Sequence, residues 1–141
     1  MKIKMLFITL LLSIFSASSF GETMNLVNLL NDQVDAFNKK DIERLVDNVS
    51  DDFKWFYITS EELLVETKDK ASFRVAMDNY YKNKRLNSVS RIDSYTVEGN
   101  KVSFKEVVSY KNKKGELVES SAMGIYQMKD NKIYRAWYFI E

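Results

Sequence analysis

From residue 87 onward the chain alternates polar and apolar residues with a period of two, and three turn signals cut this stretch into four long segments. Gly99-Asn100 suits a two-residue hairpin loop, Asn112 to Gly115 a longer one, and Asp130-Asn131 a type I′ turn, because glycine and asparagine tolerate positive φ at little cost. Strands are expected at about 87–98, 101–111, 117–128 and 132–140. Consecutive hairpins make an antiparallel meander, and strands of this length bend and coil.

The first half has the other period. Leu26, Leu30, Val34 and Phe37, reinforced by Leu29, recur at three- and four-residue spacing and predict an amphipathic helix over 24–39. Asp41 is a good N-cap for a second helix, in which Ile42, Leu45, Val46 and Val49 fall on one face; Asp51-Asp52 reads as its terminator. Phe53 to Ile58 is short and aromatic and predicts a strand, whereas residues 59–68 carry no decisive pattern. Asp69 caps a third helix with Phe73, Met77, Tyr80 and Tyr81 on one side, ending near Lys82-Asn83-Lys84. Three helices followed by a curved sheet is an α+β arrangement with the helices on one face.

Ahead of the first helix lies an export signal. Lys2 and Lys4 form a positive start, Met5 to Phe15 is an apolar run, and Ser16-Ala17-Ser18-Ser19 is a small-residue cleavage segment. The run is short for a bilayer span. The expected organisation is a cleavable signal peptide over 1–19 and one domain over 20–141, with cleavage after Gly21 as the alternative. The mature chain is then periplasmic in a two-membrane source and otherwise secreted. No cysteine follows the segment to carry a lipid anchor, so no stable membrane attachment is expected after cleavage.

Losing Lys2 and Lys4 with that segment leaves 19 basic against 20 acidic residues. Such a balance leaves no electrostatic footprint for nucleic acid, and Lys111, Lys113 and Lys114 fit a solvated hairpin tip. The chain contains no histidine and no cysteine. That removes thiol and imidazole catalysis, disulfides, and the usual ligand sets of zinc, iron or copper. No metal site and no cofactor are expected, and stability must come from packing of the abundant aromatic side chains.

The element order and two local phrases resemble the nuclear transport factor 2-like superfamily, and within it the SnoaL-like group. The first is Val34-Asp35-Ala36-Phe37-Asn38-Lys39-Lys40-Asp41. The second runs from Gly124-Ile125-Tyr126-Gln127-Met128-Lys129-Asp130-Asn131-Lys132-Ile133 into Arg135-Ala136-Trp137-Tyr138-Phe139, with Asn131 standing where glycine is usual. The resemblance implies a cone-shaped, cystatin-like fold: three N-terminal helices packed on a strongly curved, mainly antiparallel sheet, with a small apolar ligand held between them. Members include isomerases, dehydratases, epoxide hydrolases, polyketide cyclases and domains without a known reaction, so the fold does not choose among them.

Glu106 carries the sharpest chemical signal, because it shares a strand face with Val102, Phe104, Val108 and Tyr110. A carboxyl in apolar company must be paired, hydrogen-bonded or protonated, and the last makes an acid or base near neutral pH. The alternative is a bulge that turns this face to solvent. Arg135 is expected on one face with Ile133, Trp137 and Phe139, as a partner for Glu106 or an anchor for a ligand carboxylate. Trp55 and Tyr57 are pocket walls by the resemblance, Tyr126 is a candidate oxyanion donor, and Trp137 joins the pocket list. Tyr134, Ala136, Tyr138 and Ile140, with Met123, Ile125 and Val107, form a second apolar face, which predicts a homodimer packed through the sheet.

No recognisable catalytic set emerges. A non-enzymatic binding or accessory domain for a small apolar or carboxylate-bearing molecule ranks first. A cofactor-independent acid/base enzyme using Glu106, and an interaction module using the sheet face, are the alternatives.

Overall fold

A computed structural model describes residues 4–83 and 87–140, with side chains from residue 21 onward. The expected export segment and its cleavage site fall outside the residues whose side chains are described. The elements are α1 (Lys4–Lys39), α2 (Ile42–Asp47), β1 (Val49–Ile58), β2 (Leu63–Thr67), α3 (Lys70–Lys82), β3 (Val89–Glu98), β4 (Lys101–Lys111), β5 (Leu117–Lys129) and β6 (Lys132–Phe139). The six strands form one sheet in the order β2-β1-β6-β5-β4-β3. Only the β1–β6 pairing is parallel, and it joins the β1–β2 hairpin to the meander. The fold is α+β, with α1 packed on β3 and β4 and α3 on β1 and β2.

The four C-terminal strands start and stop within two residues of the positions set by the turn signals. Asp130 and Asn131 both hold positive φ, 52° and 59°, as a type I′ turn requires. Three expectations for the first half are corrected, and one undecided segment is resolved. α1 reaches back to Lys4 rather than starting at residue 24, since no proline interrupts the chain before it. α2 stops at Asp47, and Val49, placed on its face by periodicity, opens β1 instead. The Ile133 N–H donates to the Asn48 carbonyl at 2.8 Å, so sheet pairing overrides a weak helical pattern. Asp51-Asp52 therefore lies within β1 and terminates no helix. The undecided segment contains β2, a hairpin partner of β1 whose Leu63, Leu64 and Val65 are exposed.

Local chemistry fixes the helix ends. Lys40 at φ 56° stops α1, and the Asp41 and Asp69 carboxylates cap α2 and α3 by accepting from the N–H groups of Arg44 and Ser72. Arg44 clamps α1 to α2: its Nε donates to both oxygens of Asp32 at 3.0 and 3.1 Å, and Nη1 reaches Asp35 at 2.7 Å. The hydrogen bond from Arg44 holds the Asp32 carboxyl below the usual carboxylate range. The core beneath these helices is centred on Leu30, Leu45, Val49, Val102 and Ile133, each essentially inaccessible to solvent. Every such side chain contributes about 1.5–3 kcal/mol on burial, far more than an exposed ion pair at about 0–1 kcal/mol.

Gly124 on β5 pairs with Phe104 on β4, and a Cβ at Gly124 would lie 2.4 Å from the Phe104 ring. The missing side chain lets that ring lie flat over β5 and meet Tyr126 edge-on, with centroids 4.7 Å apart. Gly124→Ala is expected to destabilise the domain by about 1–3 kcal/mol through overpacking. Thermal melts should show most of that loss recovered in a Phe104→Leu background; an unchanged melting temperature in the single variant would refute the steric account.

Candidate functional site

The helices and the inner face of the sheet enclose a hollow of about 270 Å³. Strand alternation supplies one wall: Trp55 and Tyr57 from β1, Tyr126 from β5 and Tyr138 from β6. Phe73, Met77 and Tyr80 of α3 face them, and α1 adds Gln33, Val34 and Phe37. Rings meet edge-on or tilted around the space, as in Trp55–Phe73 at 6.1 Å and Trp55–Tyr138 at 6.1 Å.

Glu106 projects into this wall from β4 and is the sole Asp, Glu, Lys or Arg lining the hollow among the described residues. Its Oε1 accepts from the Ser90 hydroxyl. The Tyr138 phenol stands near the same carboxyl, and its oxygen lies 2.9 Å from that of Tyr126. Ser90, buried at the start of β3, is held in turn by Asn38 from the last turn of α1. The Asn38 amide donates to the Ser90 carbonyl and accepts from the Ser90 N–H, both at 2.8 Å. A continuous polar chain thus runs from α1 through Ser90 and Glu106 to two phenols.

Burial raises the Glu106 carboxyl above the usual carboxylate range, and the bonds from Ser90 and Tyr138 pull it only partly back. Burial also drives the Tyr126 and Tyr138 phenols upward, reinforced by the Glu106 charge. A carboxyl in this state exchanges its proton closer to neutral pH, while both phenols stay protonated and able to donate.

Of the residues singled out from sequence, the structure brings Glu106, Trp55, Tyr57 and Tyr126 together at the hollow and puts Arg135 and Trp137 on the opposite face. The expected face Ile133, Arg135, Trp137, Phe139 is corrected by a bulge. Met128 pairs with Ile133 but Gln127 with Arg135, so Tyr134 is an extra residue and the alternation reverses after it. Ile133, Ala136, Tyr138 and Ile140 consequently face the hollow. Arg135 instead donates to the carbonyls of Asp52 and Tyr134 at 2.8 and 2.7 Å and covers the Tyr134 ring at 3.6 Å. Trp137 stacks on Phe56 with centroids 5.9 Å apart. The anticipated pairing of Glu106 with Arg135 is replaced by Ser90 and Tyr138.

Sequence reasoning missed Tyr138, Ser90 and Gln33. Gln33 sits on the apolar stripe of α1, three residues after Leu30 and four before Phe37, and a polar residue there is a usable signal. Its amide is 93% buried with Oε1 unpartnered, and the Trp55 indole N–H also lacks a partner. Among the described residues, no group of three or more Asp or Glu is placed to hold a metal ion.

The sequence that builds this helical layer and open sheet matches the SnoaL-like domain model across residues 30–136. The chain belongs to the SnoaL-like domain family. No curated protein is matched by its sequence. Solved structures that share the fold of this SnoaL-like domain include an uncharacterized cystatin-fold protein from Novosphingobium aromaticivorans. That protein is 18% identical, with a TM-score of 0.67 over 83% of this chain and 97% of that one. A putative polyketide cyclase from Xanthomonas campestris is 14% identical, with a TM-score of 0.62 over 85% and 93%. An epoxide hydrolase from M. tuberculosis is 11% identical, with a TM-score of 0.66 over 84% of each chain. At these identities the likeness concerns the fold.

The raised Glu106 carboxyl has a thermodynamic signature in this SnoaL-like domain. Above its unfolded value of about 4.3 the unfolded chain releases the proton first, so Glu106 lowers stability as pH rises toward its folded value and holds it lower beyond. In Glu106→Gln that decline should vanish. The difference in melting temperature between variant and wild type is expected to grow in the variant's favour with rising pH; a flat difference would mean that Glu106 ionises freely.

Proposed function

We propose that this SnoaL-like domain binds a small, mostly apolar molecule in the hollow and presents the Glu106 carboxyl to it, acting outside the cytoplasm as a ligand-binding or accessory domain. The observation that carries the proposal is an aromatic-walled space whose lining holds one carboxyl, Glu106, and no compensating charge among the described residues. A hollow walled by aromatic and aliphatic side chains gains from an apolar occupant that displaces water from it. The apolar N-terminal run with its small-residue end supports export, to the periplasm of a two-membrane source or otherwise into the medium.

A thermal-shift screen of ring-containing small molecules tests this directly. A ligand at about a hundred times its dissociation constant adds roughly 2.7 kcal/mol, a shift of several degrees for one domain. Hits should stabilise wild type, lose effect in Ala122→Phe, which fills the hollow opposite Glu106, and survive Arg135→Gln on the far face. Hits indifferent to Ala122→Phe would remove the hollow as the binding site.

A second reading is supported by the hydrogen-bonded phenols Tyr126 and Tyr138 beside Glu106. It suits a cofactor-independent isomerase, dehydratase or hydrolase in which Glu106 carries the proton and Tyr138 steadies developing negative charge. Turnover abolished in Glu106→Gln with ligand affinity retained would favour it.

The outer sheet face carries the apolar residues Phe56, Ile125, Trp137 and Phe139, with Met123 54% exposed. We infer that two chains pack through it, with an interaction between this face and a different protein as the alternative. Light scattering at micromolar concentration should give the mass of two chains, and Met123→Glu with Phe139→Glu should halve it; a monomeric wild type would overturn the pairing.

A further inference from the structure

We propose that the hollow selects a protonated amine borne on a small apolar framework, with Glu106 as its counter-ion and the surrounding rings as its cage. This rests on the small-ligand reading above and goes further by fixing the sign of the ligand's charge.

The argument begins with what the hollow lacks. Among the described residues no lysine or arginine lines it, and Arg135 is engaged on the other side of the sheet by two carbonyls and the Tyr134 ring. The titratable groups that share the space with Glu106 are Tyr57 on β1, Tyr80 on α3, Tyr126 on β5 and Tyr138 on β6. α1 contributes Gln33, Val34 and Phe37, and β3 contributes Ser90, none of which carries charge. An anionic ligand would meet a carboxyl and no compensating cation among apolar and aromatic walls. The protein leaves its buried acid without a counter-ion, and an ammonium supplies one.

The walls favour the same sign. Aromatic faces attract cations through their quadrupoles, by about 0.5–1 kcal/mol when exposed and about 2 kcal/mol or more when desolvated. Trp55, Tyr57, Phe73 and Tyr138 stand around the space into which Glu106 points. Ser90 already donates to the carboxyl and the Tyr138 phenol stands near it, so the carboxylate formed on binding keeps that support and gains an N–H donor.

The proton balance gives the proposal a distinctive sign. Below the titration point of Glu106 the free protein holds a neutral carboxyl, so an incoming ammonium displaces one proton to solvent and forms carboxylate and ammonium side by side. Affinity then rises roughly tenfold per pH unit in that range and levels above it. A neutral ligand that accepts a hydrogen bond from the protonated acid shows the reverse dependence.

Calorimetry with 1-naphthylmethylamine, 1-naphthylmethanol and 1-naphthoic acid separates these cases on one ring system. Wild type should bind the amine about tenfold or more tighter than the alcohol, and the acid weakest. Amine affinity should increase with pH until Glu106 is ionised in the free protein and then level off, with a buffer-dependent enthalpy reporting the released proton. In Glu106→Gln the amine should lose its advantage while the alcohol still binds. The wild-type proton release tests the idea even if that variant folds poorly. Alcohol binding equal to or tighter than amine binding, or affinity that falls with pH, overturns the amine proposal and leaves the small-ligand reading intact. Failure of all three to bind wild type at millimolar concentration overturns both.

Discussion

One unpaired residue on β6 decides what the inner surface of this domain is made of. Tyr134 has no partner across from β5, so every side chain after it faces the side opposite to the one that simple alternation assigns. Tyr138 and Ala136 come to the helices, whereas Arg135 and Trp137 go outward. Without that extra residue a guanidinium would enter the inner face and the Tyr138 phenol would be lost to the outer one. The bulge therefore sets the electrostatic character of the hollow and keeps it free of cationic side chains. A buried acid with a permanent arginine partner is a structural ion pair; the same acid held by hydroxyls retains a protonation equilibrium that a ligand can move.

The hydroxyls matter because of their position. Ser90 and Tyr138 come from strands that do not neighbour each other, and Glu106 joins them from β4. Three strands and, through Asn38, the first helix are tied to one carboxyl. Such a network fixes the orientation of the acid, while the aromatic walls, packed edge-on, provide shape and exclude water. Gly124 serves the same end from below, since its missing side chain leaves room for the Phe104 ring under the two phenols.

Sequence patterning revealed the meander because its turns require particular residues: two consecutive positive φ angles at Asp130 and Asn131 leave few alternatives. The helix caps at Asp41 and Asp69 were legible for the same local reason. β2 was not, because its Leu63, Leu64 and Val65 form an exposed edge segment without alternation. The faces of β6 were unreadable in principle. Both carry aromatic and aliphatic side chains, so a one-residue slip exchanges one plausible set for another. Glu106 was recoverable because β4 has a single charged residue among apolar ones on its inner face, whereas Ser90 resembles any serine in a strand until Asn38 and Glu106 are seen beside it. Gln33 marks the opposite case, a polar residue on an apolar helical stripe that sequence alone could have exposed.

The grip of Asn38 on Ser90 has a consequence at the margin of the sheet. β3 is an outermost strand, and the Ser90 N–H and C=O that meet the Asn38 amide are groups that an added strand would otherwise recruit. The side-chain amide mimics a peptide unit of a neighbouring strand and closes the beginning of that margin to it. At the other margin β2 presents its backbone beside exposed Leu63, Leu64 and Val65 with no comparable plug among the described residues. Aggregation by strand addition therefore has a preferred entry point in this molecule, and charged substitutions along β2 are the place to strengthen its solubility without touching the hollow.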